Sequence, residues 1–176
     1  MTATIKVVGI DYSVPTLVKA RQRISESIRL CAADAMRLPF GDARFDGALC
    51  FGVLQAVADS APVARELARV LKPGAGLWID ALNRDGVASR YERTRLHWQG
   101  KSMHLRYESP RRLSDVLQNA GFDRPSRHWL PILPARFRGA QPMLETRWAR
   151  ATLRHVYPLG LLLSHAFVLT TRRAMA

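Results

Sequence analysis

Two aspartates stand where strands should end. Asp11 closes the apolar run Thr4-Ile5-Lys6-Val7-Val8-Gly9-Ile10, and Asp34 follows a second short strand around Ile28 to Ala32. A carboxylate at the carboxyl end of a parallel strand can accept both hydroxyls of a ribose, because its two oxygens are acceptors set side by side. Asp34, placed the same way, can accept the exocyclic amine of an adenine, with the backbone N–H of Ala35 meeting a ring nitrogen. Each residue has an equally good local use. Asp11 can cap the helix that Ser13 and Pro15 begin, and Asp34 can close an Asx-turn. Two such residues at successive strand ends, 23 positions apart, point to a nucleoside site more strongly than either does alone.

Such a site needs a sheet beneath it. After Asp11, Ser13 is a helix N-cap, Pro15 suits a first turn, and Leu17, Val18 and Ala20 continue a helix. The loop Asp34 to Asp42 leads through Phe45-Asp46 into the strand Gly47 to Phe51. Pro62 begins a helix whose apolar face is Val63, Leu67, Val70 and Leu71. Lys72-Pro73-Gly74 stops it, and Gly76 to Asp80 is the next strand. This alternation predicts an α/β fold with a mostly parallel sheet and right-handed crossovers. Continuous β-branched residues in the first strand predict cover on both its faces. Residues 84–108 are rich in Arg and weak in periodicity, which predicts an irregular or short-helical insert. Ser109 and Pro110 then start a helix through Leu113, Val116, Leu117 and Ala120, ended by Gly121 in the left-handed region. Leu144 to His155 reads as helical. Val156 to Thr171 reads as a buried turn plus a closing strand, followed by Arg172 and Arg173.

Composition excludes several classes. A chain of 176 residues, 48% hydrophobic and 23% charged, is one globular domain, 1–176, rather than a disordered or low-complexity chain. Two cysteines build neither a disulfide scaffold nor a four-cysteine zinc site, and a reducing, cytoplasmic setting is expected. The net charge of +13 is lopsided: residues 1–88 carry 11 cations against 9 anions, residues 89–176 carry 16 against 5. The arginines are scattered singly, without the aromatic ladder of single-strand binders, so a nucleic-acid partner is disfavoured. The stretch Val156 to Thr171 falls short of the roughly 20 apolar residues that span a bilayer, and no membrane partner is expected. His97, His104, His128, His155 and His165 show no metal-ligand spacing. Cys31 and Cys50 read as buried thiols, Cys50 having no base partner in sequence. Trp98 and Tyr107 read as core packing or, less so, as caps of a substrate pocket.

The stretch Asp34-Ala35-Met36-Arg37-Leu38-Pro39-Phe40-Gly41-Asp42-Ala43-Arg44-Phe45-Asp46 resembles the D-A-x-x-L-P-F-x-D-x-x-F-D segment of class I S-adenosylmethionine-dependent methyltransferases. The small-molecule group related to ubiquinone biosynthesis matches best. Val8 to Ser13 resembles that family's second strand, and Glu66 to Gly76 its E-x-x-R-V-L-K-P-G-G-x run. Leu117 to Phe122 and the terminal strand resemble its later elements. The resemblance implies a Rossmann-like methyltransferase sheet, mostly parallel with an antiparallel C-terminal strand. It implies S-adenosylmethionine as cofactor and methyl transfer to a small organic substrate. By position, Asp11 would bind the cofactor ribose, and Tyr12 would lie near adenine or ribose. Asp34 would hold the adenine amine, Ala35 would contribute its backbone, and Phe51 would line the cofactor or substrate edge. The insert 84–108 would face the substrate, its cations favouring an anionic one. Gln55 stands where the family often has His, so no catalytic residue is assigned.

One departure is large. The family's first strand, ending in a glycine-rich G-x-G-x-G turn, has no counterpart here, and in the family that strand lies at the centre of the sheet. Buried N–H and C=O groups left unpaired along such a gap would cost roughly 1–3 kcal/mol each. The gap is therefore expected to be closed by direct pairing of its flanking strands, by a strand from a partner or second copy, or by further polypeptide in a longer protein, with Met1 an internal start. A non-catalytic interaction module and a basic RNA-binding protein are the competing readings.

Overall fold

The computed structural model describes residues 5–101, 105–130, 146 and 156–175. In chain order these form β1 (Val8–Asp11), α1 (Val14–Arg21), β2 (Arg29–Ala32), β3 (Phe45–Cys50), α2 (Ser60–Val70), β4 (Leu71–Leu82), α3 (Val87–Trp98), α4 (Pro110–Asn119), β5 (Ser126–Leu130), α5 (Tyr157–Leu163) and β6 (Ala166–Arg172).

Local chemistry sets most boundaries. Ser13 is extended before α1 and its Oγ accepts the Thr16 N–H at 3.4 Å, with Pro15 in the first turn. At the end of α4, Gly121 takes a φ of +93°, which lets the Phe122 N–H reach the Leu117 carbonyl at 3.1 Å and buries the Phe122 ring. The end of α2 differs from expectation. The helix stops at Val70, Leu71 turns extended, and β4 begins at once. Lys72-Pro73-Gly74 forms a bulge between the Phe45–Leu71 and Gly47–Gly76 pairings instead of the helix stop. Pro73 has no N–H for a ladder, and Gly74 supplies a φ of +78°.

The described strands form two sheets. β1 and β2 pair in parallel, with Val8 opposite Arg29 and Asp11 opposite Ala32. The other sheet has the order β3-β4-β6-β5, in which β3 and β4 are parallel and β6 runs antiparallel to both β4 and β5. The α/β architecture and the antiparallel C-terminal strand agree with the sequence reading. Among the described residues, β1 pairs only with β2 and β3 only with β4, so the strands expected to flank the gap do not pair with each other.

The core belongs to the larger sheet. Along β4, Ala75, Leu77, Ile79 and Ala81 are buried while the residues between them are not. Their face meets Leu169 and Phe167 of β6, Val63, Leu67 and Ala68 of α2, and Leu113 and Leu117 of α4. The opposite face is open: Leu49 is 70% exposed and Trp78 45%. β1 departs from its expected cover on two faces. None of its residues is buried, because α1 and β2 are its principal neighbours.

Among the described residues of 84–108, where the sequence predicts an irregular or short-helical insert, α3 forms a regular helix of 12 residues. It packs against α5, which replaces the expected turn before the last strand. Asn83, fully buried, holds the two together at their base, donating from Nδ2 to the carbonyls of Leu161 at 2.7 Å and Ser164 at 2.8 Å. The helix expected over Leu144 to His155 lies, Thr146 apart, outside the described residues, as do His104, Trp148, Pro131, Pro134 and Pro142. Among the described residues, no helix is long and apolar enough to cross a membrane.

Candidate functional site

β1 and β2 end side by side. The Ala33 N–H donates to the Asp11 carbonyl at 3.1 Å, so Asp11 and Asp34 leave two adjacent, paired strands at the same end. Both carboxylates are half-buried, and each commits one oxygen to its own turn. Asp11 Oδ1 accepts the Ser13 N–H at 2.7 Å, and Asp34 Oδ1 accepts the Met36 N–H at 2.8 Å. The local use and the ligand-binding use are therefore compatible. The turn fixes the carboxylate, and its second oxygen, which has no hydrogen-bond partner among the described residues, stays an acceptor. Tyr12 projects with 83% exposure and Ala35 is half-buried against the edge of the core.

Phe51 stands apart from these four. It follows β3 in the other sheet and is 51% exposed. Gly52 after it has a φ of +73°, and its N–H donates to Asp80 Oδ1 at 2.8 Å. Asp80, read from sequence only as part of a strand, thus fixes the exit of β3. Cys50 is buried, and its thiol is pushed up to about 12, first by burial and then by the charge of Asp80. At neutral pH it is a thiol and no nucleophile. Cys31 is only half-buried.

The segment after α3 returns to the same end of the sheet. The Arg106 N–H donates to the Gln55 carbonyl at 3.0 Å, in the loop that follows β3. Glu108, 2% exposed, accepts from Ser60 Oγ at 2.7 Å and from the Arg106 guanidinium, while its own N–H donates to the Leu82 carbonyl at 2.8 Å. A buried carboxylate so paired ties residues 105–108 to the start of α2. Sequence reasoning missed this anchor, whose single trace is an Arg-x-Glu immediately before the Ser109-Pro110 helix start. Tyr107 is half-buried edge-on to His165, at a centroid distance of 6.4 Å, and its hydroxyl is raised by burial, then by the Glu92 charge. Trp98 is 85% exposed and takes no part in the core. Among the described residues, no group of three His, Cys, Asp or Glu side chains could hold a metal ion.

Parallel strands with acidic residues at their carboxyl ends and antiparallel strands at the far edge define a Rossmann-like α/β class. Residues 1–79 match the family described as the methyltransferase domain. The demethylmenaquinone methyltransferase of Corynebacterium kroppenstedtii is 41% identical over 73 residues, which are 42% of this chain and 31% of that protein. The match therefore spans about a third of the relative's length. The SAM-dependent methyltransferase of Thermotoga maritima superposes with a TM-score of 0.68 at 20% identity, over 95% of this chain and 72% of that one. A [4+2]-cyclase superposes with a TM-score of 0.64 at 23% identity, over 98% and 68%. The resemblance read from the residues is matched on both counts: residues 1–79 are similar to the methyltransferase domain family, and the chain has the fold of class I S-adenosylmethionine-dependent methyltransferases.

Proposed function

We propose that this chain takes part in S-adenosylmethionine-dependent methyl transfer to a small organic molecule, with Asp11 and Asp34 framing the adenosine half of the cofactor. The observation that carries the reading is the pair of turn-fixed carboxylates at the ends of two bonded parallel strands, each with an oxygen to spare. Those oxygens fit the nucleoside half: Asp11 for the ribose hydroxyls, Asp34 for the adenine amine, with the Ala35 backbone and the Tyr12 ring beside them. Nothing among the described residues cradles the methionine half, which a glycine-rich turn would hold. When bound, the cofactor supplies an electrophilic methyl group. The chain's own part is to bind, orient and exclude water, and no side chain is assigned a proton. Phe51, at the exit of β3, lines the edge between cofactor and substrate.

The fold alone does not settle the reaction, since one structural neighbour is a [4+2]-cyclase. The relative from Corynebacterium kroppenstedtii supports a quinone-like, apolar acceptor. Residues 84–108 face that acceptor, a placement supported by the return of Arg106 to the loop after β3. The edges of β1 and β3 that no strand pairs among the described residues support a further strand between them, given by a second copy or by another stretch of polypeptide. Two unpaired thiols suit a cytoplasmic setting.

Calorimetric titration with S-adenosylhomocysteine tests the reading, alongside light scattering to read the oligomeric state. The chain should bind, and Asp11→Ala should lose roughly tenfold or more in affinity, as a hydrogen bond to a charged group is worth about 1.5–3 kcal/mol. Asp34→Ala should lose less. A folded chain that does not bind, or variants that bind unchanged, would overturn it.

A further inference from the structure

Helix α3 presents three large apolar or aromatic residues to solvent. Val87, Tyr91, Thr94 and Trp98 follow one another at spacings of four, three and four, so they share one face. That face looks outward: Val87 is 56% exposed, Tyr91 69% and Trp98 85%. The inward face carries the buried Ser89 and the half-buried Glu92 and Leu96. Cations flank the outward stripe. Arg90 and Lys101 lie along one side, and Arg95, held to Glu92 at 2.7 Å, along the other. A basin of about 490 Å³ opens beside the stripe, lined by Arg90, Arg93, Thr94, Leu96, His97 and Lys101. No carboxylate pairs with Arg90, Arg93 or Lys101 among the described residues. The neighbouring helix α5 adds exposed Leu159, Leu162 and Leu163 and contains no charged residue.

We infer that the α3–α5 surface docks on an anionic lipid bilayer, with Trp98 and Tyr91 at headgroup depth and the Arg90, Arg93 and Lys101 cations on lipid phosphates. An interfacial helix needs an apolar face for the acyl boundary and flanking cations for the headgroups, and α3 has both. Aromatic rings with a polar tip are the side chains that settle at that depth. A nucleic acid would use the same cations and could stack on Trp98, but the exposed aliphatic side chains of Val87, Leu159, Leu162 and Leu163 would gain nothing from it. The stripe belongs to the same insert, 84–108, that is proposed to face the acceptor, but it uses none of the nucleoside-site residues, so loss of vesicle binding and loss of cofactor binding are distinguishable. The sequence reading expects no membrane partner, on the ground that no segment is long enough to span; contact at the surface is a different mode and departs from that expectation.

The test is co-sedimentation of the whole chain, at low salt, with vesicles of phosphatidylcholine alone and with about one third phosphatidylglycerol. The chain should partition onto the anionic vesicles and not onto the neutral ones. Arg90→Glu with Lys101→Glu should lower partitioning at least roughly 30-fold, at about fivefold for each cation removed and more for the carboxylates added. Trp98→Ser, at a site 85% exposed and outside the core, should lower it about fivefold. Arg23→Glu with Arg29→Glu makes the same change of net charge in the turn after α1 and on β2 and should leave most partitioning in place. Equal loss in both double variants would reduce the effect to overall charge and overturn the docking surface. So would equal binding to neutral vesicles, no binding to either, or α3-dependent binding of random single-stranded RNA by a chain that ignores vesicles.

Discussion

The β1–α1–β2 unit and the four-stranded sheet are built on opposite plans. From Ile5 to Arg37 no residue is buried, and α1 has no buried face. The larger sheet holds the core, with Val63, Leu77, Leu113, Leu117, Phe167 and Leu169 all fully buried. Yet the two carboxylates that frame the nucleoside site stand on the unit with no core of its own. Their geometry comes from turns of a few residues, Asp11 to Ser13 and Asp34 to Met36, and from one parallel ladder. Function can thus rest on hydrogen-bonded local structure, while global stability rests elsewhere.

Each region contains one cysteine, which gives the sharpest contrast. At pH 8 Cys50 should alkylate about a thousandfold more slowly than an ordinary thiol, because a pKa pushed up to about 12 leaves almost no thiolate. Cys31, half-buried in β2, should label first, and mass mapping of the labelled peptides reads the order. Equal rates would mean that the larger sheet opens as readily as the smaller.

Core truncation comes next. Leu117→Ala should cost about 2–5 kcal/mol in denaturant unfolding, while Leu17→Ala on α1 should cost about 1 kcal/mol or less, for want of a cavity to leave. Comparable losses would merge the two regions into one cooperative core. Glu108→Ala removes the carboxylate that Ser60 and Arg106 share and should cost roughly 2 kcal/mol, against near zero for Glu92→Ala in its exposed pair with Arg95. The smallest effect is a pH dependence. Glu66 is held below the ordinary carboxylate range by its hydrogen bond from Arg69, aided by the Leu38 N–H and opposed by burial. Its contribution is complete above about pH 4.3 and is lost as pH falls through the lower folded value. Glu66→Gln should flatten the acid limb of the stability curve, measured by thermal unfolding.

Much of this was legible in the sequence where the chemistry is local. Ser13, Pro15 and Gly121 punctuate helices for reasons that need no tertiary context. The burial of Leu113 and Leu117 followed from helical spacing alone. The Lys72-Pro73-Gly74 bulge was misread because a Pro-Gly pair stops a helix and kinks a strand with equal ease, and only the pairing with β3 decides. The outward face of α3 escaped notice because its Arg-rich composition masks a regular spacing. Asp80 and Glu108 act on partners 28 and 48 residues away, and no local pattern announces them.

The central claim concerns where the adenosine half sits, and an NMR titration with 5′-methylthioadenosine reads it without the methionine half. The account predicts amide shifts confined to Asp11 through Ser13 and Asp34 through Met36, abolished by Asp11→Ala with Asp34→Ala. Shifts centred on the basin beside α3, or shifts unchanged in the double variant, would contradict it.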